Sequence, residues 1–395
     1  MAKPPRVAVL IETSREYGRG LLRGVARYIC ENGPWSVYFQ PRGLESFPPP
    51  GLRDWRGDGI LSRVNSRKAA EAVLDTGLPT IELRGALADL GLPFVGVDNR
   101  AVAKAGAKHL LERGLRHFAF CGAPHRENRF LDQRCDFFKH FIEEAGYRCN
   151  VFPAKHLRGR VSAWEAEQNR IAGWLSALPR PCGLMTCHDD RGRHVLDAAL
   201  RCDLKVPDEV AVVSVDNDEH LCALSNPPLS SIDVNPVRIG YEAAKLLDRL
   251  MNGKRPSSEF VEIEPRGLIV RQSSDMIAVS DVTVSAAFRF IREHACEGLS
   301  VDQVLRHLDI SRSTLEKRFK NLLGRTPKAV ILHVQLERAK QLLRETRVPL
   351  STVAERSGFG SVQYFIDVFG RKVGLTPGTY REQHHFARYQ ADDPS

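Results

Sequence analysis

The sequence has no apolar run long enough to cross a membrane. In 395 residues, of which 43% are hydrophobic and 27% charged, no stretch approaches the ~18 consecutive apolar residues of a membrane helix. The N-terminal segment MAKPPRVAVLIE also lacks the apolar core and the small-residue cleavage site of a signal peptide. We therefore expect a cytoplasmic protein without a membrane partner, long enough for two or three domains.

Cysteine pairs and catalytic motifs are also missing. The nine cysteines are an odd number and form no CxxC pair, which argues against a disulfide framework and against a zinc site. The sequence contains no HExxH, P-loop or G-x-S-x-G motif, and the acid-base-like run HDDR at 188–191 has no nucleophile singled out beside it. We predict that the protein is not an enzyme and expect no metal and no cofactor; a sugar-acting enzyme is the remote alternative.

The first two thirds of the chain alternate short apolar runs with amphipathic segments. The runs RVAVLI, PFVGVDN, HFAFCG and VAVVSVDN are examples between Arg6 and about Ile269. Fully apolar strands separated by helices indicate βαβ units, with parallel sheets that are covered on both faces. The length predicts two doubly wound parallel sheets, in two lobes with a cleft between them. We place this α/β domain at residues 1–270, a polar linker at 271–281 and an all-α domain at 282–395.

The C-terminal part repeats one pattern, because LLGRTPKAV at 322–330 returns as KVGLTPGTY at 372–380. Each copy reads as an apolar helix that ends at Gly, followed by Thr as N-cap and Pro at the first position of a new helix. Upstream of each stop, a short helix, a turn and a second helix capped by Ser311 or Ser361 predict a helix-turn-helix unit. A connecting helix runs from Thr326 to about Glu345.

The exposed faces of the two second helices are the predicted contacts with double-stranded operator DNA. From Asp281 onward the chain carries 18 Lys and Arg against 13 Asp and Glu, a basic excess that permits a nucleic-acid partner. The second copy is less basic than the first, so we expect weaker binding or apolar contacts with thymine methyl groups. The candidates are Arg312, Ser313, Glu316, Lys317 and Lys320 in the first unit, and Val362, Gln363, Asp367 and Arg371 in the second.

The segment from about Ser285 to Glu382 resembles the AraC-type DNA-binding domain. The likeness is closest in GFGSVQYFIDVFGRKVGLTPGTYRE, and it includes two helix-turn-helix units, the connector and both G-x-T-P stops in order. It implies that Ser313, Glu316 and Lys317 occupy base-contacting positions in the first unit, and that Val362, Gln363 and Asp367 do so in the second. Asp367 departs from the basic residue that is often found there.

Residues from about 6 to 270 resemble the effector-binding half of LacI/GalR-type repressors. The likeness rests on PFVGVDNRAVAKAGAKHLLERGLRHFAFCG, TCHDDRGRHVL, VPDEVAVVSVDN and LSSIDVNPVRIGYEAAKLL. Members of that family normally carry their DNA-binding helices at the amino terminus, whereas here the helices follow at the other end. The combination implies a homodimeric, sugar-responsive activator of xylose or other pentose catabolism genes, with RNA polymerase as a further partner.

The candidate effector contacts follow the apolar strands, because ligands of open α/β sheets bind beyond the carboxyl ends of the strands. Carboxylates there accept sugar hydroxyls, and an arginine donates through its fork. The candidates are Ser14, Asp98, Arg134, Asp189 and Asp216, of which the last four are carried over from the resemblance; a helix cap is the other role open to Asp98. We expect a small sugar, xylose first, with a hexose or a phosphorylated metabolite as the alternative. The acceptor carboxylates at the strand ends argue against an acidic or nucleotide effector.

Overall fold

The computed structural model describes residues 3–41, 43, 49, 51–155, 161–254, 258, 260–276, 281–323 and 325–384. The described residues separate into two units, one that ends at Met276 and one that begins at Asp281. The first unit is α/β and the second is helical, so the predicted fold class is confirmed. Every described helix is too short or too polar to cross a membrane.

The α/β unit follows the predicted alternation of strands and helices. Its strands are β1 Arg6–Leu10, β2 Ser36–Phe39, β3 Gly59–Ser62, β4 Thr80–Glu82, β5 Phe94–Val97, β6 His117–Cys121, β7 Cys149–Val151, β8 Cys182–Thr186, β9 Val210–Val215, β10 Ser230–Asp233, β11 Phe260–Ile263 and β12 Gly267–Ile269. Its helices are α1 Glu16–Asn32, α2 Arg67–Leu74, α3 Asn99–Leu111, α4 Arg129–Glu144, α5 Val161–Ser176, α6 Asp189–Arg201, α7 Glu219–Leu224 and α8 Pro236–Met251.

Two six-stranded sheets form the two lobes of this unit. The first has the order β11-β5-β4-β3-β1-β2 and is parallel throughout. The second has the order β12-β10-β9-β8-β6-β7 and is parallel except for β12, which runs antiparallel to β10 at the edge. Every residue of β3, β4, β5, β8 and β9 is buried, because helices cover both faces of a parallel sheet. The chain passes between the lobes after β5, β10 and β11.

Helices α1 and α8 of the first lobe pack backbone against backbone. A Cβ atom on Gly24 would collide with the carbonyl oxygen of Val237, and one on Gly240 would collide with that of Leu21. Only glycine permits so close an approach of two helices. This contact fixes α1, whose first turn carries side chains to the mouth of the cleft.

The first residues of the predicted linker are packed into the second lobe. Residues 272–274 form a 3₁₀ turn in which Ser273 and Ser274 are fully buried. The Ser273 hydroxyl donates to the Val212 carbonyl at 2.6 Å and accepts the Ser230 N–H at 2.8 Å. The polar character of this segment therefore reflects hydrogen bonds to the backbone of neighbouring strands rather than exposure to solvent.

The helical unit contains both predicted helix-turn-helix pairs. Its helices are α9 Val282–His294, α10 Val301–Leu308, α11 Arg312–Leu323, α12 Pro327–Glu345, α13 Leu350–Arg356, α14 Val362–Val373 and α15 Pro377–His384. Each pair has its own hydrophobic cluster, one around Leu315 and Phe319 and the other around Phe365 and Phe369. The connector α12 belongs to both, since Ile331 joins the first cluster and Leu336 the second.

The helix boundaries of this unit agree with the sequence pattern. Thr326 accepts the N–H of Ala329 at 3.2 Å at the start of α12. Gly374 ends α14 in the left-handed region with a φ of 81°, which a residue with a Cβ adopts at a cost. The matching Gly324 lies outside the described residues. Leu322, in the last turn of α11, is 44% exposed.

Candidate functional site

A cavity of ≈ 230 Å³ lies where the carboxyl ends of the strands of both sheets meet. Arg63 and Arg84 follow β3 and β4 of the first sheet, and His188 and Asp216 follow β8 and β9 of the second. The location agrees with the rule that ligands bind beyond the carboxyl ends of parallel strands. A ligand in this cavity would contact both lobes.

Two of the five predicted effector contacts, Arg134 and Asp216, line the cavity. Arg134 is 4% exposed; its Nε donates to Asn99 Oδ1 at 3.0 Å and its Nη1 to the Cys187 carbonyl. Burial lowers the pKa of Arg134, and the negative charge of Asp216 opposes that shift. Burial raises the pKa of Asp216, and the charge of Arg134 is the largest influence in the other direction.

Asp216 lies in a backbone conformation that is rare for a residue with a side chain. Its φ is 105°, and such conformations cost about 1–3 kcal/mol and are concentrated at functional sites. The Asp216 N–H donates to the Ile232 carbonyl at 3.0 Å, which holds the loop against β10. The next residue, Asn217, accepts a bond from Arg271 Nη2 at 2.7 Å. The loop that carries Asp216 is therefore bonded directly to the segment that leaves the α/β unit.

Asp189 supports this loop and does not line the main cavity. Its Oδ2 accepts the Asp218 N–H at 2.6 Å, and its Oδ1 accepts the Ser231 hydroxyl at 2.5 Å. The side chain is only 1% exposed. Burial, reinforced by the charge of Asp216, raises the pKa of Asp189 to about 7. Both carboxylate oxygens are thus engaged by protein donors.

Asp98 and Ser14 do not line the cavity either. Asp98 takes the helix-cap role, since its Oδ1 accepts the Ala101 N–H at 2.8 Å at the start of α3. Ser14 is exposed in the turn before α1. The neighbouring residues Arg15 and Tyr17 line the cavity instead.

Sequence reasoning overlooked the two arginines contributed by the first sheet. Arg63 forms an ion pair with the buried Glu12 and lies over the ring of Tyr17, with its guanidinium carbon 4.7 Å from the ring centroid. Burial lowers the pKa of Arg63, and so does the positive charge of Arg84. Both arginines come directly after an apolar strand, in GDGILSR and TIELR. The rule that identified Asp216 would have identified them as well.

Arg84 has buried nitrogens that the protein does not satisfy. Its Nε and Nη1 have no hydrogen-bond partner within the described part of the chain. The nearby Glu82 accepts backbone N–H groups from Val64 at 3.1 Å, Arg84 at 2.9 Å and Gly85 at 2.6 Å. Its carboxylate is therefore held by the main chain, and the Arg84 guanidinium remains available to a ligand.

His188 contributes a neutral imidazole to the cavity. Burial and the positive charge of Arg15 lower its pKa to about 3. Its Nδ1 accepts the N–H of Arg191 at 3.2 Å as the N-cap of α6. Since Nδ1 is the acceptor, the ring proton is on Nε2, and His188 acts as a hydrogen-bond donor.

The candidate DNA contacts lie on the outer surface of the helical unit, except for one. Val362 is half-buried and packs against the second hydrophobic cluster. Arg312 forms an ion pair with Asp302 at 2.7 Å, so a phosphate would compete with that carboxylate. Tyr364, which was not among the predicted contacts, is 46% exposed beside Gln363. The exposed candidates are Arg312, Ser313, Glu316, Lys317 and Lys320 on α11, and Gln363, Asp367 and Arg371 on α14.

Comparisons with known proteins match both units of the chain. A family described as periplasmic binding protein-like domain matches residues 107–274. A family described as helix-turn-helix domain matches residues 304–383. The order of the two agrees with the order of the α/β and helical units.

Several relatives resemble the chain over nearly its full length. The xylose operon regulatory protein of Escherichia coli K12 is 33% identical over 388 residues, which cover 96% of this chain and 97% of the relative. The protein of the same name from Haemophilus influenzae is 32% identical, covering 95% and 98%. A solved structure of the xylose-binding transcription activator xylR is 31% identical, has a TM-score of 0.73 and covers 97% of this chain and 99% of its own. The transcriptional regulator CelR in complex with cellobiose shares the fold over 68% of this chain and 84% of its own, at 18% identity and a TM-score of 0.55.

Proposed function

The chain belongs to the family of the xylose operon regulatory proteins, and we propose that a small sugar in the interlobe cavity controls how its helical unit binds operator DNA. It is a sugar-responsive, DNA-binding transcription regulator. The observation that carries the mechanism is the lining of one cavity by residues from both lobes. The names of the relatives make xylose, or a sugar derived from it, the first effector to test.

The α/β unit is the sensor in this proposal. A ligand that touches Arg84 on one lobe and Asp216 on the other binds the closed arrangement of the lobes more tightly than the open one. Closure moves the loop of Asp216 and Asn217, and the bond from Asn217 to Arg271 passes that movement to the exit segment. The coupling equals the difference in affinity between the two arrangements, ~1–3 kcal/mol for a typical effector.

The helical unit is the DNA reader, in which α11 and α14 each enter a major groove. The connector α12 has 19 residues and therefore a length of about 28 Å. That length is close to the ~34 Å between successive major grooves on one side of the duplex. Helix α11 exposes side chains of both charges and carries more cations than α14. We therefore assign the stronger phosphate contact to α11.

The biological setting follows from the same proposal. Operator DNA and RNA polymerase are the macromolecular partners, and the protein acts in the cytoplasm as an activator. Two copies would place two readers on a repeated operator, so a homodimer is the assembly that effector binding would reorganise.

Operator binding by the full-length protein tests the proposed function. We expect saturating effector to increase its affinity for an operator with two half-sites by about 5- to 150-fold. The fragment that begins at Asp281 should bind one half-site without any response to effector. Equal affinity of the full-length protein with and without every pentose, hexose and sugar derivative tried would contradict the proposal.

A further inference from the structure

The charges that surround the cavity differ from what a neutral sugar requires. Four arginines line it, at positions 15, 63, 84 and 134, against the two carboxylates of Glu127 and Asp216. We infer that the effector is a monosaccharide-sized sugar derivative that carries an oxyanion, a carboxylate or a phosphate, next to Arg84. This inference rests on the proposed function and specifies the ligand class of the same cavity.

Two of the three carboxylates that were expected to accept sugar hydroxyls are occupied elsewhere. Asp189 accepts two protein donors, and Asp98 caps a helix. Two further buried carboxylates are also engaged, since Glu12 pairs with Arg63 through Oε1 and Glu82 is held by three backbone N–H groups. The sequence-based argument against an acidic effector therefore does not apply to the folded protein.

The unsatisfied nitrogens of Arg84 mark the position of the oxyanion. A buried donor without an acceptor is destabilising, and Nε and Nη1 of Arg84 are such donors within the described residues. Nε shares one edge of the guanidinium plane with Nη2, and Nη1 shares the adjacent edge with Nη2; on either edge a carboxylate or phosphate accepts two parallel hydrogen bonds. An oxyanion on one of these edges would therefore satisfy one of the two unpaired nitrogens.

Neighbouring cations reinforce this preference. Burial lowers the pKa of Arg63, and the positive charge of Arg84 lowers it further. Burial and the positive charge of Arg15 lower the pKa of Arg84, and the charges of Glu82 and Glu127 oppose that shift. An anion between these groups would relieve the repulsion, whereas a neutral sugar would leave it in place.

The rest of the cavity suits the sugar part of the ligand. Asp216 supplies an acceptor for hydroxyls, and the neutral His188 supplies a donor. Tyr17 and Phe94 add apolar surface for the carbon skeleton. The volume of ≈ 230 Å³ favours one sugar unit over a disaccharide.

Calorimetric titration of the full-length protein separates the ligand classes. The probes are D-xylose, D-xylonate, D-glucuronate and D-xylose 5-phosphate. We expect at least one acidic probe to bind about 10- to 100-fold more tightly than D-xylose, the gain from two charge-assisted hydrogen bonds. A carboxylate site would favour xylonate or glucuronate, and a phosphate site the 5-phosphate. D-xylose binding as tightly as every acidic probe would overturn the inference and leave the proposed function intact. A protein that binds none of the four would count against the proposed function itself.

Arg84→Gln tests the position of the oxyanion. The substitution keeps one amide donor but removes the charge and the fork, so the preference for the acidic probe over D-xylose should fall by about 10-fold or more. Arg116→Gln is the matched control, because Arg116 is exposed and does not line the cavity. An unchanged preference in Arg84→Gln would place the anion elsewhere and overturn the inference. Since the wild-type titrations need no variant, the inference remains testable even if Arg84→Gln fails to fold.

Discussion

The sensor cavity and the reading helices present their polar groups in opposite ways. Around the cavity, Arg134 and Asp189 are 4% and 1% exposed and are held by hydrogen bonds from several elements. On α11, Lys317 and Lys320 are exposed at the surface of a single helix. A buried polar group destabilises the fold when its hydrogen-bond partners are removed. An exposed charged side chain contributes little to folding stability, so its removal should mainly weaken DNA binding. Substitutions should therefore affect stability in the sensor and binding in the reader.

The largest effect on stability should come from Asp189→Ala. The change leaves the buried Asp218 N–H and Ser231 hydroxyl without their acceptor, at a cost of about 2–4 kcal/mol in the free energy of unfolding. Thermal unfolding of the α/β unit would measure it. Asp98→Ala is the control, because it removes one helix-cap bond and should cost about 1 kcal/mol. Equal losses of unfolding free energy in the two variants would contradict the expectation that the contacts of Asp189 stabilise the unit more than the helix cap of Asp98 does.

Asp216→Ala should change effector binding more than stability. The residue lines the cavity, so its loss removes an acceptor for ligand hydroxyls and weakens effector binding by about 1.5–3 kcal/mol. Operator binding without effector should keep its wild-type affinity, since Asp216 lies outside the helical unit. Calorimetry and a gel-shift assay measure the two quantities. A variant with wild-type effector affinity would place the ligand outside this cavity.

The reader also contains buried polar groups, and removing one of them in Gln335→Ala should destabilise the helical unit as the loss of a buried group destabilises the sensor. Gln335 Nε2 donates at 2.9 Å to the Ala295 carbonyl and at 2.9 Å to the Gly358 carbonyl, one beside each helix-turn-helix pair. We expect a loss of about 1–3 kcal/mol in the unfolding free energy of the helical unit, measured by thermal unfolding. Gln341→Ala, in the same helix, is the control and should change that free energy by less than about 0.5 kcal/mol.

The smallest expected effect is that of Lys317→Ala, which should leave stability unchanged. Its exposed ammonium is predicted to contact a phosphate or a base, so operator affinity should fall by about 1 kcal/mol. The loss should shrink at high salt if the contact is with a phosphate. Unaltered operator affinity at physiological salt would remove Lys317 from the interface.

The reader was more predictable from the sequence than the cavity, for a physical reason. Helical periodicity and caps determine which side of α11 and α14 is exposed, and among the candidate contacts only Val362 is half-buried. The rule that ligands bind beyond the carboxyl ends of the strands identified Asp216, but it predicts Asp98 and Asp189 as ligand contacts equally well. Whether such a carboxylate is free depends on donors that are distant in sequence, such as the Ser231 hydroxyl. Those partners become visible only in the folded chain.

The buried 3₁₀ turn at 272–274 has a consequence for how such regulators are recombined. A chimera that joined this sensor to another reader after residue 270 would discard Ser273, leaving the Val212 carbonyl and the Ser230 N–H of the central strands without their partner. The sensor of such a chimera would therefore lack these two hydrogen bonds. A junction placed after Met276 keeps the whole hydrogen-bonded turn with its strands. Different DNA-binding units could then be fused to the sensor at the same position, after Met276.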